Sequence, residues 1–290
     1  MATLNNPSTG SVFTRYWRRI PIVIRTVVSG YFVFAIAGIF AWMAVLAFIP
    51  VPWSLFVMWV ILGLYLLYFS GRWWPKSTAE TRAENFRKTK LSASTWKWSL
   101  FATLLITVIV ESSLVVTFRI VTFPADAMNL GVDYETFPLW QVWLYIVLAA
   151  SVAGITEEVG FRGYMQVPLE KRHGPLKGII LVAFLFMVFH LNQAWAPYVL
   201  LHLFLFGSMW GVLAHVSGSI IPGIISHIVV DIFRFSYWWT DVAGAFDKRP
   251  INETGLDGHF VIWLLILFVS IILFVWAARK TFAARKSKGE

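Results

Sequence analysis

Thr156-Glu157-Glu158-Val159-Gly160-Phe161-Arg162-Gly163-Tyr164 places two adjacent carboxylates and an arginine inside an apolar region. Glu158 and Arg162 are four residues apart, so on a helix they share a face and can pair. Glu157 is one position round and points elsewhere, which leaves it for another task. Charges in such surroundings are costly and mark functional positions. Two further polar pairs follow in apolar segments, Phe186 with His190 and His227 with Asp231. The stretch is therefore read as the polar heart of an all-α, polytopic integral membrane protein with about eight transmembrane helices.

Composition agrees. The chain has 290 residues, 58% hydrophobic, 17% aromatic and 13% charged, more apolar than a soluble domain and with several runs long enough to span a bilayer. A net charge of +9 would suit nucleic acid, but the charges cluster in loops between apolar spans, as the positive-inside rule requires. The expected partner is the lipid bilayer, with no nucleic acid. There is no cysteine, which removes a thiolate nucleophile, a Cys-type zinc site and a disulfide framework.

In chain order, residues 1–26 form a cytoplasmic basic arm. Residues 27–138 carry three helices and their loops, with spans at 27–50, 53–69 and 98–121. The first is read as an uncleaved span. Residues 70–97 form a basic, partly helical loop, and 122–138 an acidic one. Residues 139–238 hold helices four to seven and every polar motif. The fourth starts near 139 and runs through Glu157 towards 169, and the others cover 175–191, 197–216 and 219–238. Residues 239–290 are a last loop, an eighth span at 260–278 and a basic tail. The arm, the 70–97 loop, the 157–178 region and the tail hold 4, 7, 4 and 5 Lys/Arg, 20 of the 24. The opposite loops hold seven acids and two bases. This asymmetry places both termini in the cytoplasm of a multi-pass protein of the cell membrane.

Depth tests whether the polar residues meet. Gly174-Pro175 makes a helix stop and start. Glu157 lies sixteen residues before His173, and His190 sixteen after Gly174. Two antiparallel helices with equal arms bring both to one level, roughly 24 Å from the turn at ~1.5 Å per residue, with Pro168 a candidate bend in one arm. His227 and Asp231 fall at similar depth, one helical turn apart. Hydrolysis of a peptide bond there needs a base for water, donors for the oxyanion and a polar cavity. Glu157 is the best base, with His190 as its partner. Either His227 donates to the oxyanion while Asp231 fixes its tautomer, or the two bind a metal.

These motifs resemble those of the CPBP family, the intramembrane proteases that include Rce1-type CAAX-processing enzymes and bacteriocin self-immunity proteins. The family carries EExxxR, FxxxH and HxxxN/D in order on successive membrane helices. Here they read Glu157-Glu158-Val159-Gly160-Phe161-Arg162, Phe186-Met187-Val188-Phe189-His190 and His227-Ile228-Val229-Val230-Asp231. Phe206-Gly207-Ser208-Met209-Trp210-Gly211 and Gly218-Ser219-Ile220-Ile221-Pro222-Gly223 resemble its sixth-to-seventh helix region. The resemblance covers about residues 140–235. It implies an intramembrane endopeptidase in which Glu157 activates water with help from His190. Glu158 and Arg162 hold the motif, and His227 with Asp231 forms the oxyanion site. The family is also described as a metalloprotease class, which would make His190, His227 and Asp231 ligands of a metal such as zinc. There is no HExxH. The implied partner is a protein or peptide substrate, lipidated or membrane-embedded.

Plainer readings stand beside these. Glu158–Arg162 can be a structural ion pair only. His202 reads as a helix-packing hydrogen bonder, His215 as interfacial and Glu111 as a rival carboxylate outside the site. Gly207 and Gly211 form GxxxG, a close helix contact. A proton- or ion-coupled transporter would spread its polar groups along a path through the bilayer, whereas a hydrolase gathers them at one depth. A non-catalytic immunity or scaffold protein would keep the fold without needing the set intact.

Overall fold

The computed structural model describes residues 16–17, 19–87, 89–122, 134–191 and 197–287. Helices carry the fold, and no strand occurs among the described residues. The main elements are α1 (Ile22–Phe48), α2 (Trp53–Phe69), α3 (Ala93–Ile120), α4 (Leu139–His173), α5 (Pro175–Phe189), α6 (Pro197–Ser217), α7 (Ile221–Arg234, continued by a π turn, Phe235–Trp239) and α8 (Gly258–Lys286). α1, α3, α4, α6 and α8 are each long and apolar enough to cross a membrane. α2 and α5 are apolar but shorter. α7 turns its polar residues inward, burying Ser226, His227 and Asp231, while Phe233 faces out. The chain is a multi-pass helical membrane protein.

Capping chemistry moves some helix ends away from the sequence expectation. α3 starts at Ala93 rather than near 98, because Ser92 Oγ accepts the Thr95 N–H at 3.1 Å and satisfies a first-turn donor. α8 starts at Gly258 behind Asp257, whose carboxylate accepts the Phe260 N–H at 2.9 Å. It runs to Lys286, past 278, since Arg285 and Lys286 in its last turn suit the helix C-terminus. The 70–97 loop contains the expected helical piece, Ala79–Asn85. There the Arg82 guanidinium donates to the carbonyls of Tyr68, Trp73 and Pro75 at 2.6–2.7 Å. Most of the basic arm, and residues 123–133 of the acidic loop, lie outside the described residues.

α4 is the central strut, touching α1, α2 and α7, while α8 packs along α3 with Trp276 edge-on to Trp98 at 4.9 Å. Small residues set how closely these rods approach. A Cβ on Gly154 of α4 would stand 2.7 Å from the Ile228 side chain of α7. One on Gly207 of α6 would stand 3.3 Å from Ala183 Cα, and one on Gly211 would stand 3.1 Å from Ile179. The GxxxG pair is thus the close α5–α6 contact that its spacing predicts.

Two of the long helices widen into π turns, α1 at Phe32–Ile39 and α4 at Glu158–Met165. In α4 the cause is local. Pro168 has no N–H, and its ring would crowd the carbonyl four residues back. A wider turn before it relieves both problems, so the expected bend takes the form of a π segment. Gly160 sits on its outer face, where a Cβ would meet the Phe34 side chain at 2.7 Å and the Gly30 carbonyl at 3.1 Å. The chain reverses at Gly174, whose φ of +83° suits glycine, and Pro175 opens α5.

Candidate active site

Glu157 ends the α-helical part of α4, and Glu158 begins its π segment. Both carboxylates are buried and project to different neighbours. Glu157 Oε2 lies 3.8 Å from His190 Nε2 and 3.9 Å from His227 Nε2. The equal-armed hairpin therefore does bring Glu157 and His190 together. Asp231 Oδ2 lies 3.6 Å from His227 Nε2. The four residues line one cavity of about 90 Å³, closed by apolar side chains including Phe186, Leu203, Phe206 and Trp239. That volume admits several waters among polar partners.

The imidazoles are held in defined orientations. His190 is the residue after α5, and its Nδ1 is 2.7 Å from the Phe186 carbonyl. A carbonyl only accepts, so Nδ1 carries the proton and caps a last-turn carbonyl that has no helical partner. Nε2 then faces Glu157. His227 Nδ1 is 3.1 Å from Glu158 Oε1. This corrects one sequence expectation: Glu158, not Asp231, holds Nδ1 of His227 and orients the ring. Asp231 faces the other nitrogen. The α4–α7 approach at Gly154 makes this possible, since a Cβ there would also stand 3.4 Å from His227 Cβ.

Glu158 also keeps its expected partner. Arg162 Nε is 3.6 Å from Glu158 Oε1, and both side chains are fully buried. No nitrogen of Arg162 makes a hydrogen bond among the described residues. The guanidinium instead sits over aromatic rings, 4.9 Å from Phe186, 5.6 Å from Phe161 and 5.8 Å from Trp210, an arrangement that stabilises a cation where water is absent. Trp210 stacks on His227, with ring centroids 4.0 Å apart and planes at 11°, and its indole N–H donates to Ser226 Oγ at 3.2 Å.

Several site neighbours were not legible in the sequence. Trp210 is one of sixteen tryptophans, and nothing in its spacing separates it from packing residues. Arg234 also lines the cavity. Phe186 matters through its carbonyl as well as its ring. The residues set aside fall outside the cavity lining. His202 Nε2 is 3.2 Å from Thr117 Oγ1, a helix-packing bond. Glu111 accepts the Trp238 indole N–H at 2.8 Å.

His190, His227 and Asp231 do not form a metal centre as placed. Among the described residues no three His, Asp or Glu side chains converge to hold an ion. Within that set His227 Nε2 and Asp231 Oδ2 stand 3.6 Å apart, wider than the roughly 3.4 Å edge of a tetrahedron with ~2.0–2.1 Å metal bonds.

Residues 138–233 match the family described as type II CAAX prenyl endopeptidase, Rce1-like. The match covers about a third of the chain and contains all seven residues of the three motifs, in agreement with the family resemblance that they carry. Its members are protease-type enzymes. No curated protein and no solved structure matches the chain.

Proposed function

We propose that this protein is an intramembrane endopeptidase that hydrolyses a peptide bond with water held by Glu157 and His190. The observation that carries the reading is the gathering of Glu157, His190, His227 and Asp231 on one small polar cavity, inside the segment that matches the protease family. A transport path would string such groups through the bilayer instead.

The residues divide the chemistry as follows. Water sits between Glu157 and His190, a gap of 3.8 Å that is too long for a direct hydrogen bond. Glu157 takes a proton from the water as its oxygen attacks the carbonyl carbon. The carbonyl oxygen becomes an oxyanion, which needs a donor. His227 supplies it through Nε2–H. Glu158 accepts from Nδ1 and Asp231 lies beside Nε2, so Nε2 donates to the oxyanion when the ring carries both protons. Asp231 acts by sustaining that charge, since a carboxylate offers no amide donor of its own. Collapse of the intermediate breaks the C–N bond, and the proton held on Glu157 passes to the leaving nitrogen, with His190 as relay. Trp210 and Arg162 exclude water behind His227 and fix its plane.

The substrate is a protein or peptide that reaches the site from the bilayer or from the cytoplasmic face, on which both termini lie. The family description adds a prenylated C-terminal CAAX sequence as the first substrate to try. The test uses purified protein in proteoliposomes, with prenylated and unprenylated peptides read by mass spectrometry. Glu157→Gln and His190→Ala each abolish cleavage while the helical signal and melting behaviour persist. Full activity in either variant overturns the assignment.

A further inference from the structure

A second polar cavity, of about 400 Å³, lies at the other end of the α4–α5 hairpin from Glu157. It borders Glu170, thirteen residues along α4 from Glu157, or roughly 20 Å at ~1.5 Å per residue. Its walls come from four places: the segment after the Ala79–Asn85 helix, the end of α4, the α6–α7 junction and the end of α8. Three cations face it, Arg87, Lys171 and Arg285, against two acids, Glu84 and Glu170.

The acids are already spoken for. Lys171 pairs with Glu84 at the exposed rim. Glu170 is bonded by Arg87, accepts the Gln166 amide at 2.7 Å and has His215 Nδ1 at 3.4 Å. What remains is donor capacity. Arg87 Nη1 and Arg285 Nε are shielded from solvent and have no hydrogen-bond partner among the described residues. Arg285 spends one nitrogen on the His215 carbonyl at 2.8 Å and lies across Gly218, where a Cβ would stand 2.6 Å from its Cζ. A bare glycine with φ of +74° is what lets the guanidinium approach. Burial and the neighbouring Arg285 push the Arg87 guanidinium down, against the pull of Glu170. Two guanidinium groups therefore border one cavity with donors to spare.

We propose that this cavity binds a phosphate-bearing anion between Arg87 and Arg285. A phosphate offers several acceptor oxygens to planar arginine forks, the geometry that suits such groups. The volume exceeds what a bare phosphate needs, so the ligand is a phosphomonoester, a diphosphate or a lipid headgroup. The site lies at the end of the bundle where most Lys/Arg gather, as expected beside an anionic leaflet. A bound anion ties the end of α8 and the segment after Ala79–Asn85 to the α4 arm, and so stiffens the hairpin whose far ends carry Glu157 and His190. None of this depends on peptide hydrolysis.

The test uses full-length protein at constant ionic strength, in uncharged detergent titrated with inorganic pyrophosphate. In parallel, nanodiscs of phosphatidylcholine are compared with nanodiscs that also contain phosphatidic acid. The unfolding temperature is followed by tryptophan fluorescence. The expected result is a saturable rise of roughly 5 °C at saturating anion with at least one probe. Arg285→Gln should abolish it. Arg285→Lys, which keeps the charge but loses the fork, serves if the first variant does not fold, and should weaken half-saturation about tenfold. A response to pyrophosphate identifies a soluble phosphate compound, and one confined to phosphatidic acid identifies a headgroup. No response to either probe, or an equal response in wild type and variants, overturns the site.

Discussion

Replacing Glu158 by Gln should expose how far this protein depends on one buried pair. Glu158 Oε1 is 3.6 Å from Arg162 Nε, with both side chains fully buried. At that distance and an effective dielectric constant of about 20, the attraction is roughly 4–5 kcal/mol. Removing one partner of a buried pair costs about 3–5 kcal/mol, because the other charge is left without compensation. Arg162 has no hydrogen bond among the described residues to fall back on, only aromatic faces. Glu158→Gln is therefore expected to lower the unfolding free energy by about 3–5 kcal/mol, read by tryptophan fluorescence during SDS titration from mixed micelles. Adding Arg162→Met should recover more than half of that loss, since no unpaired buried guanidinium remains. Cleavage should fall less in Glu158→Gln than in Glu157→Gln, because the new amide oxygen can still accept the His227 Nδ1 proton at the 3.1 Å position. A single-variant cost under about 1 kcal/mol, or a double variant worse than the single, would refute the pairing argument. Equal loss of cleavage in the two Gln variants would mean that the carboxylates have been given the wrong roles.

Other outcomes follow from the same geometry. A Cβ on Gly223 would stand 2.8 Å from Glu158 Oε2, so Gly223→Ala should displace that carboxylate from His227. Cleavage should fall at least about tenfold with a stability loss of roughly 1–3 kcal/mol, and wild-type turnover would count against the role of Glu158. Arg119 and the Phe260 N–H hold the Asp257 carboxyl below the usual aspartate range. Its contribution is thus fully present above about pH 4 and is lost as the pH falls through the lowered value. Melting temperature against pH should flatten on its acid side in Asp257→Asn, and an unchanged profile would remove the Arg119–Asp257 contact from the account. Chelation should leave cleavage intact, because no three ligands converge. Loss of activity together with stoichiometric zinc would instead make His190, His227 and Asp231 ligands.

The hairpin was readable from arithmetic alone. Equal arms about the Gly174-Pro175 turn require Glu157 and His190 to meet, and helix geometry is regular enough for the count to succeed. The partner of His227 Nδ1 was not readable. Glu158 and Asp231 are both plausible partners by spacing. The choice depends on how far α7 is rotated and how closely it approaches α4 at Gly154 and Gly223. The same holds for Trp210, whose stacking on His227 depends on the α6–α7 crossing rather than on any periodicity.

The sequence by itself determined the membrane class, the helical architecture and the set of polar residues. Those follow from the cost of placing polar groups in hydrocarbon, which acts residue by residue along the chain. Only the tertiary structure decided which nitrogen each carboxylate faces, and that the anion-ready arginines at positions 87 and 285 meet at all. Contacts between residues distant in sequence are set by helix packing to fractions of an ångström, and packing is a property of the whole bundle.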